Sequence, residues 1–222
     1  MLCPLTVFFG FDKKNDIYAE NVESKGLAGT VFTAVTPKGK MRLRVNVPGH
    51  HMVSNALAAV AIGLELGLDE KQIAAGVAAF KPVSGHSSIV ETDRFTIMDD
   101  CYNANPVSTK AGLDVLAEAE ERKVAILGDM FELGSDERKL HYEVGEYAAD
   151  KGIDCIVCAG ELAKEYYDGA KAAGKTEGLY YFATRDEAVD RLENIVKEND
   201  AILVKASHGM KFEKIVEVLK QM

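Results

Sequence analysis

Phe95-Thr96-Ile97-Met98-Asp99-Asp100-Cys101-Tyr102-Asn103-Ala104-Asn105-Pro106-Val107-Ser108-Thr109 is the stretch whose reading decides the fold. Residues 95–98 form a short apolar run of the kind that makes a buried strand, and it ends abruptly in two carboxylates, Asp99 and Asp100. A tight polar segment follows, and Pro106 sets the first turn of a helix. In an open α/β sheet, ligands bind outside the carboxyl ends of strands, so these polar residues stand where a site is expected. The same residues also have a structural use: Asp100 and Asn105 can simply cap a helix and turn the chain.

Downstream, the pattern repeats. Apolar runs at 95–99, 123–128, 154–159, 179–182 and 200–205 predict strands, and the intervals 106–121, 136–151, 161–173, 184–198 and 209–221 predict helices. Strand and helix in alternation give βαβ units, hence an α/β, Rossmann-like, mostly parallel sheet with helices on both faces. Upstream, residues 6–47 read as antiparallel strands at 6–12, 16–24, 29–37 and 41–47, with Pro37-Lys38-Gly39 as a hairpin turn. Met41, Leu43, Val45 and Val47 alternate with Arg42, Arg44 and Asn46, the period of a half-buried strand. Two helices follow, the first Ala-rich and ending at Gly63 to Gly67, the second capped by Asp69 and running through Phe80. The Pro/Gly/Ser-rich break at 81–88 is read as a joint, placing the domains at 1–85 and 86–222.

With 35 acidic against 26 basic residues in 222, the formal net charge is −9, and no basic stripe is available to neutralise nucleic-acid phosphates. No apolar run reaches the ~18 residues of a membrane span and the amino end lacks a signal-peptide pattern, so the chain is read as cytoplasmic. Four cysteines, Cys3, Cys101, Cys155 and Cys158, fit a reducing compartment. Cys155 and Cys158 form a C-x-x-C, but within a predicted buried strand their side chains point to opposite faces, which argues against redox or zinc chemistry.

Loops 100–105, 128–134, 160–161 and 205–209 leave the carboxyl ends of the predicted sheet. They offer Asp100, Tyr102, Asn103, Asn105, Asp129, Glu132, Lys205, Ser207 and His208. Lys205 and helix amino ends suit an anion and the carboxylates suit an ammonium, so the mixture fits a zwitterionic or carboxylated small molecule. His50, His51 and Asn55 stand at the amino end of the first helix, where backbone N–H groups favour an anion or hydrogen-bonding ligand; local bonding and solvation are the alternative. His86, in the joint, is placed to face a cleft. Neither G-x-x-x-x-G-K-[ST] nor G-x-G-x-x-G occurs, no cluster has zinc-ligand spacing, and His141 reads as a surface or packing residue.

These motifs resemble the carboxyl-terminal half of the Mur ligase family, and within it the MurF type. The resemblance is carried by GHHMVSNALAA (49–59), FKPVSGHSS (80–88), DDCYNANPVSTKA (99–111), VAILGDMFELG (124–134), HYEVGEYAA (141–149) and LVKASHGMKFE (203–213). It implies a three-domain enzyme of peptidoglycan synthesis. Such an enzyme uses ATP and Mg2+ to convert the carboxylate of UDP-N-acetylmuramoyl-tripeptide to an acyl phosphate, which the amine of D-alanyl-D-alanine then displaces. It further implies that 1–85 is the tail of the ATPase domain and 86–222 the whole third domain, with the P-loop and magnesium ligands lying upstream and no ligase activity from this polypeptide alone.

Position by position, Asn55 resembles the adenine-contacting asparagine and Asp100 the carboxylate holding the ribose. His86 stands where the family has an arginine reaching ATP phosphates, and Met52 stands at the middle asparagine of G-x-H-N-x-x-N. Arginine carries a permanent charged fork and histidine does not, so this phosphate contact is expected to be weaker. Tyr102, Asn103, Asn105, Lys205 and Ser207 are implied to line the dipeptide pocket, and no catalytic residue is assigned. A sister ligase for another amino acid and a non-catalytic small-molecule or peptide-binding module are the rival readings.

Overall fold

The computed structural model describes residues 6–222 and divides them, between Lys81 and Pro82, into two compact units. Cys3 lies outside the described residues.

In the first unit, β1 (Phe9–Gly10), β2 (Ile17–Ser24), β3 (Thr30–Thr36) and β4 (Gly39–Val45) form one sheet in that order. The β2–β3 and β3–β4 pairs are antiparallel, and the β3–β4 turn is reduced to Pro37-Lys38. The expectation of purely antiparallel pairing is corrected at β1, which runs parallel to β2 with Phe9 opposite Ile17. Of the run at 6–12, two residues are strand. Residues 12–15 fold into a turn, with the Asn15 amide donating to the Asp12 carbonyl and the Lys14 amide to the Asp12 carboxylate.

Helices α1 (His50–Glu65) and α2 (Glu70–Ala79) complete the unit. Asp69 caps α2 with a full capping box to Gln72, fixing its start where the sequence placed it. Alternate residues Met41, Leu43 and Val45 of β4 face Val53, Leu57 and Val60 of α1 in one core.

The second unit contains β5 (Ser88–Glu91), β6 (Phe95–Asp100), α3 (Pro106–Ala117), β7 (Lys123–Gly128), α4 (Glu137–Asp150), β8 (Cys155–Ala159), α5 (Ala163–Ala172), β9 (Leu179–Phe182), α6 (Arg185–Val189), α7 (Leu192–Ile195), β10 (Asp200–Lys205) and α8 (Glu213–Gln221). The sheet order is β5-β6-β10-β7-β8-β9, parallel throughout except for β5. All five predicted strands are present, and the α/β, mostly parallel architecture is as expected.

β5 was not expected. It is an edge strand paired antiparallel with β6, and it begins at Ser88, the last residue of the stretch read as the joint. The single helix expected at 184–198 is two short ones, and the one expected from 209 starts at 213 after a 3-10 turn. β6, β7, β8 and β10 are buried on both faces, which explains why their sequences read as continuous apolar runs instead of alternating ones.

Candidate functional site

β10 lies between β6 and β7, so the loops following these three strands emerge side by side at the carboxyl end of the sheet. Parallel register sets Lys205 abreast of Asp100 on the neighbouring strand. The Lys205 ammonium donates to Asp100 Oδ2 at 2.5 Å and to the Asn103 carbonyl at 3.0 Å. Lys205 is 2% exposed, so its charge is committed to the fold instead of to a ligand in solvent. The other Asp100 oxygen, Oδ1, accepts from the Ser87 amide at 2.9 Å and the Ser87 hydroxyl at 3.0 Å.

Successive strand residues point to opposite faces, and Asp99 accordingly serves a second set of donors. Its Oδ2 accepts from the Gly85 amide at 3.0 Å and the Ser84 hydroxyl at 3.1 Å, and its Oδ1 from the Cys101 thiol at 2.9 Å. That hydrogen bond and burial push the Cys101 thiol far above its ordinary range, burial being the larger cause. The bend at 84–87 is therefore pinned to the end of β6 at both sides of His86. The Tyr102 amide closes it by donating to the Gly85 carbonyl at 3.0 Å.

The exposed ring of His86 lies against Tyr102, centroids 4.2 Å apart, and Tyr102 against His208 at 5.2 Å. Three rings from three different loops thus form one exposed row.

Asn105 caps α3. Its side-chain oxygen accepts from the Ser108 amide at 2.9 Å, and its own amide donates to the Ser108 hydroxyl at 3.2 Å. Asn103 shows its side chain to solvent while its carbonyl faces Lys205. The Ser207 hydroxyl accepts from the Phe131 amide at 2.9 Å, and the Ser207 amide donates to the Asp129 carbonyl at 3.0 Å, tying the loop after β10 to the loop after β7. The Ser207 proton remains for an acceptor.

Asp129 itself is buried and accepts from the Ala163 amide at 2.7 Å at the start of α5. Burial raises its carboxyl above the usual range. Glu132 is exposed and adopts a left-handed backbone (φ 63°), as does Ser87 (φ 55°). Non-glycine residues in that region concentrate at functional loops.

In the first unit, Asn55 borders a pocket of about 330 Å3 walled by Val45, Met52, Ala56, Ala59, Val77 and Phe80. The Asn55 amide nitrogen lies 3.6 Å from the Met52 sulfur, a weak contact that leaves the amide edge available. His50 stacks on Phe11 with centroids 4.0 Å apart, which makes it part of the packing at the helix start; His51 is exposed.

In the second unit, sequence reasoning missed the Ser84–Ser87 bend with its carboxylate partner Asp99, and of the two readings given to His141, surface or packing, the buried ring takes the second with a bonding role the sequence did not show. The paired aspartates were the available signal for the bend, since strand alternation sends them to opposite sides. His141 gave none, because what it holds, the Met130 amide, becomes visible only once α4 is packed on the sheet.

The family described as "Mur ligase, glutamate ligase domain" matches residues 87–208, more than half of the chain, and "Mur ligase middle domain" matches 2–63. The UDP-N-acetylmuramoyl-tripeptide--D-alanyl-D-alanine ligase of Escherichia coli (strain K12) is 35% identical over 196 residues, covering 87% of this chain and 42% of that protein. The ligase of the same name from Bacillus subtilis (strain 168) is 31% identical over 218 residues, 96% of this chain and 47% of that one. A crystal structure of MurF from Acinetobacter baumannii superposes with a TM-score of 0.86 at 29% identity, covering 97% of this chain and 47% of that one. MurF from Thermotoga maritima in complex with ADP, at 21% identity, shares the fold with a TM-score of 0.79 over 97% of this chain and 48% of that one. The chain spans less than half the length of the relatives it matches. The chain belongs to the Mur ligase family.

Proposed function

We propose that this chain is the carboxyl-terminal part of an ATP-dependent ligase that adds D-alanyl-D-alanine to UDP-N-acetylmuramoyl-tripeptide during synthesis of the peptidoglycan precursor. The carrying observation is that D-alanyl-D-alanine ligases from distant bacteria align along 87–96% of the chain at 31–35% identity. In this reading residues 1–85 close the ATPase domain and residues 86–222 form the acceptor domain, working in the cytoplasm.

ATP, when bound, supplies the phosphoryl group that activates the tripeptide carboxylate. The pocket beside Asn55 suits its purine: apolar walls for the faces of the ring and an amide for its polar edge. Asp100 holds the ribose through the remaining lone pairs of its carboxylate, whose bonded partners fix its direction. His86 meets the phosphates more weakly than arginine does.

For the acceptor dipeptide, the Ser207 proton and the Asn103 amide offer donors to its carboxylate, with Tyr102 and Asn105 beside them. Lys205 contributes through its partners. The family resemblance assigns the Mg2+ ligands to parts of the ligase outside this sequence. The phosphate-cradling loop is assigned there too, and the polypeptide alone is expected to release no phosphate from ATP.

Calorimetric titration with ADP tests the nucleotide half of this reading. Binding should weaken at least tenfold in Asn55→Ala and in Asp100→Ala. ADP binding indifferent to both substitutions removes the nucleotide assignment, and failure to bind D-alanyl-D-alanine removes the acceptor assignment.

A further inference from the structure

A lysine ammonium 2% exposed at the end of a central strand is a group with a specific task, because burying a charge is unfavourable unless its bonds are well made. Lys205 has two partners of different kinds. One is the carboxylate of Asp100, whose side chain is 13% exposed; the other is the main-chain carbonyl of Asn103, three residues further along the same loop. Asp100 in turn holds Ser87 by two bonds and thereby keeps that residue in a left-handed conformation that an L side chain rarely adopts. One ammonium therefore reaches the segment that presents Tyr102 and Asn103 by a direct hydrogen bond, and the bend that presents His86 through the Asp100 carboxylate.

We propose that Lys205 is a positioning residue that couples the two ligand-facing sides of this loop: a nucleotide set against Asp100 and an acceptor set against Asn103 sense each other through its ammonium. The proposal rests on the ligase reading for the identity of the two ligands, while the mechanical link itself depends only on the contacts. Because Lys205 sits in register with Asp100 on β10 and the loop hangs from β6, a shift of either partner is transmitted within one side chain's length. Coupling needs such an element, one with interactions that both ligands bias.

The test uses the full chain and the variants Lys205→Met, which keeps the length and apolar stem, and Lys205→Arg, which keeps the charge. Amide hydrogen exchange is read at Ser87, bonded to Asp100, and at Gly85, bonded to Asp99 as an internal reference. In Lys205→Met the Ser87 amide should lose at least tenfold of its protection with Gly85 unmoved, and Lys205→Arg should restore it. Saturating ADP should raise the affinity of the wild-type chain for D-alanyl-D-alanine about fivefold or more, and Lys205→Met should abolish that enhancement.

Unchanged Ser87 protection overturns the proposal. So does equal loss at Ser87 and Gly85, the mark of a purely structural lysine, and so does independent binding of the two ligands to the wild type. A wild-type chain that binds neither ligand overturns the ligase reading instead, and the exchange experiment then decides the role of Lys205 by itself. Should Lys205→Met fail to fold, Lys205→Arg and the wild-type coupling carry the decision.

Discussion

His141 Nε2 accepts the backbone N–H of Met130 at 2.9 Å, while its Nδ1 faces the Glu137 carbonyl at 2.6 Å. Accepting from an amide requires an unprotonated Nε2, so the ring is the neutral tautomer with its proton on Nδ1. Burial drives its pKa below the ordinary 6.5, the hydrogen bond to Glu137 and the nearby Asp129 opposing only in part. A base whose folded pKa is depressed takes up its proton more readily unfolded, so stability is lost as pH falls below about 6.5 toward the folded value. Denaturant unfolding between pH 7.5 and 5 should show a loss approaching about 1.4 kcal/mol per pH unit from this site. His141→Gln, which can accept from Met130 without titrating, should flatten that slope; an unchanged slope assigns it elsewhere.

Helices α4 and α5 approach so closely that a Cβ on Gly145 would lie 2.1 Å from the Tyr166 carbonyl oxygen, and one on Gly169 the same distance from the Tyr142 carbonyl oxygen. The obstacles are backbone atoms of the opposing helix, which cannot rotate away. Gly145→Ala should therefore destabilise the second unit by about 3 kcal/mol, although alanine is the better helix former. Thermal unfolding decides it, and a rise in melting temperature would show that the helices can separate at little cost.

What the sequence made legible follows from how local its causes are. The β6–α3 unit was readable because each piece is encoded within a few residues: an apolar run, then Asn105 as cap and Pro106 at the first turn. β5 was not, since Ser88-Ile89-Val90-Glu91 is half-exposed and becomes a strand through pairing with β6, a partner no local pattern names. The site divides in the same way. Polar residues at strand ends were placed correctly on the sheet's carboxyl edge. That Lys205 is bonded to Asp100 depends on β10 lying next to β6, a strand order that hydrophobic periodicity does not contain.

Cys155 and Cys158 lie wholly buried in β8, and Cys101 is buried beside the Asp99 carboxylate. Burial pushes the Cys155 thiol up to about 11 and the other two further still. Only the thiolate reacts at a useful rate, so none of the three should be labelled at pH 8 while the protein is folded. Measured in a Cys3→Ser background, a chromogenic thiol reagent should report no rapid reaction before denaturant is added and three thiols after it. Fast native labelling would mean that β8 opens locally at low cost.

Asn105 combines a cap that the fold needs with a position among the proposed acceptor-binding residues, and two substitutions separate these roles. Asn105→Ala removes the bond from the Ser108 amide at the start of α3 and should cost about 1 kcal/mol, a typical value for a lost N-cap. Asn105→Asp keeps an oxygen in the same place and adds a charge favourable to the helix dipole, so stability should hold or rise slightly. The same carboxylate would repel the carboxylate of a dipeptide close by. If Asn105 touches the acceptor, Asn105→Asp should bind D-alanyl-D-alanine several-fold more weakly than the wild type while unfolding at the same denaturant concentration. Equal affinity in the two proteins would confine Asn105 to its capping role and shift the acceptor's carboxylate toward Asn103 and Ser207.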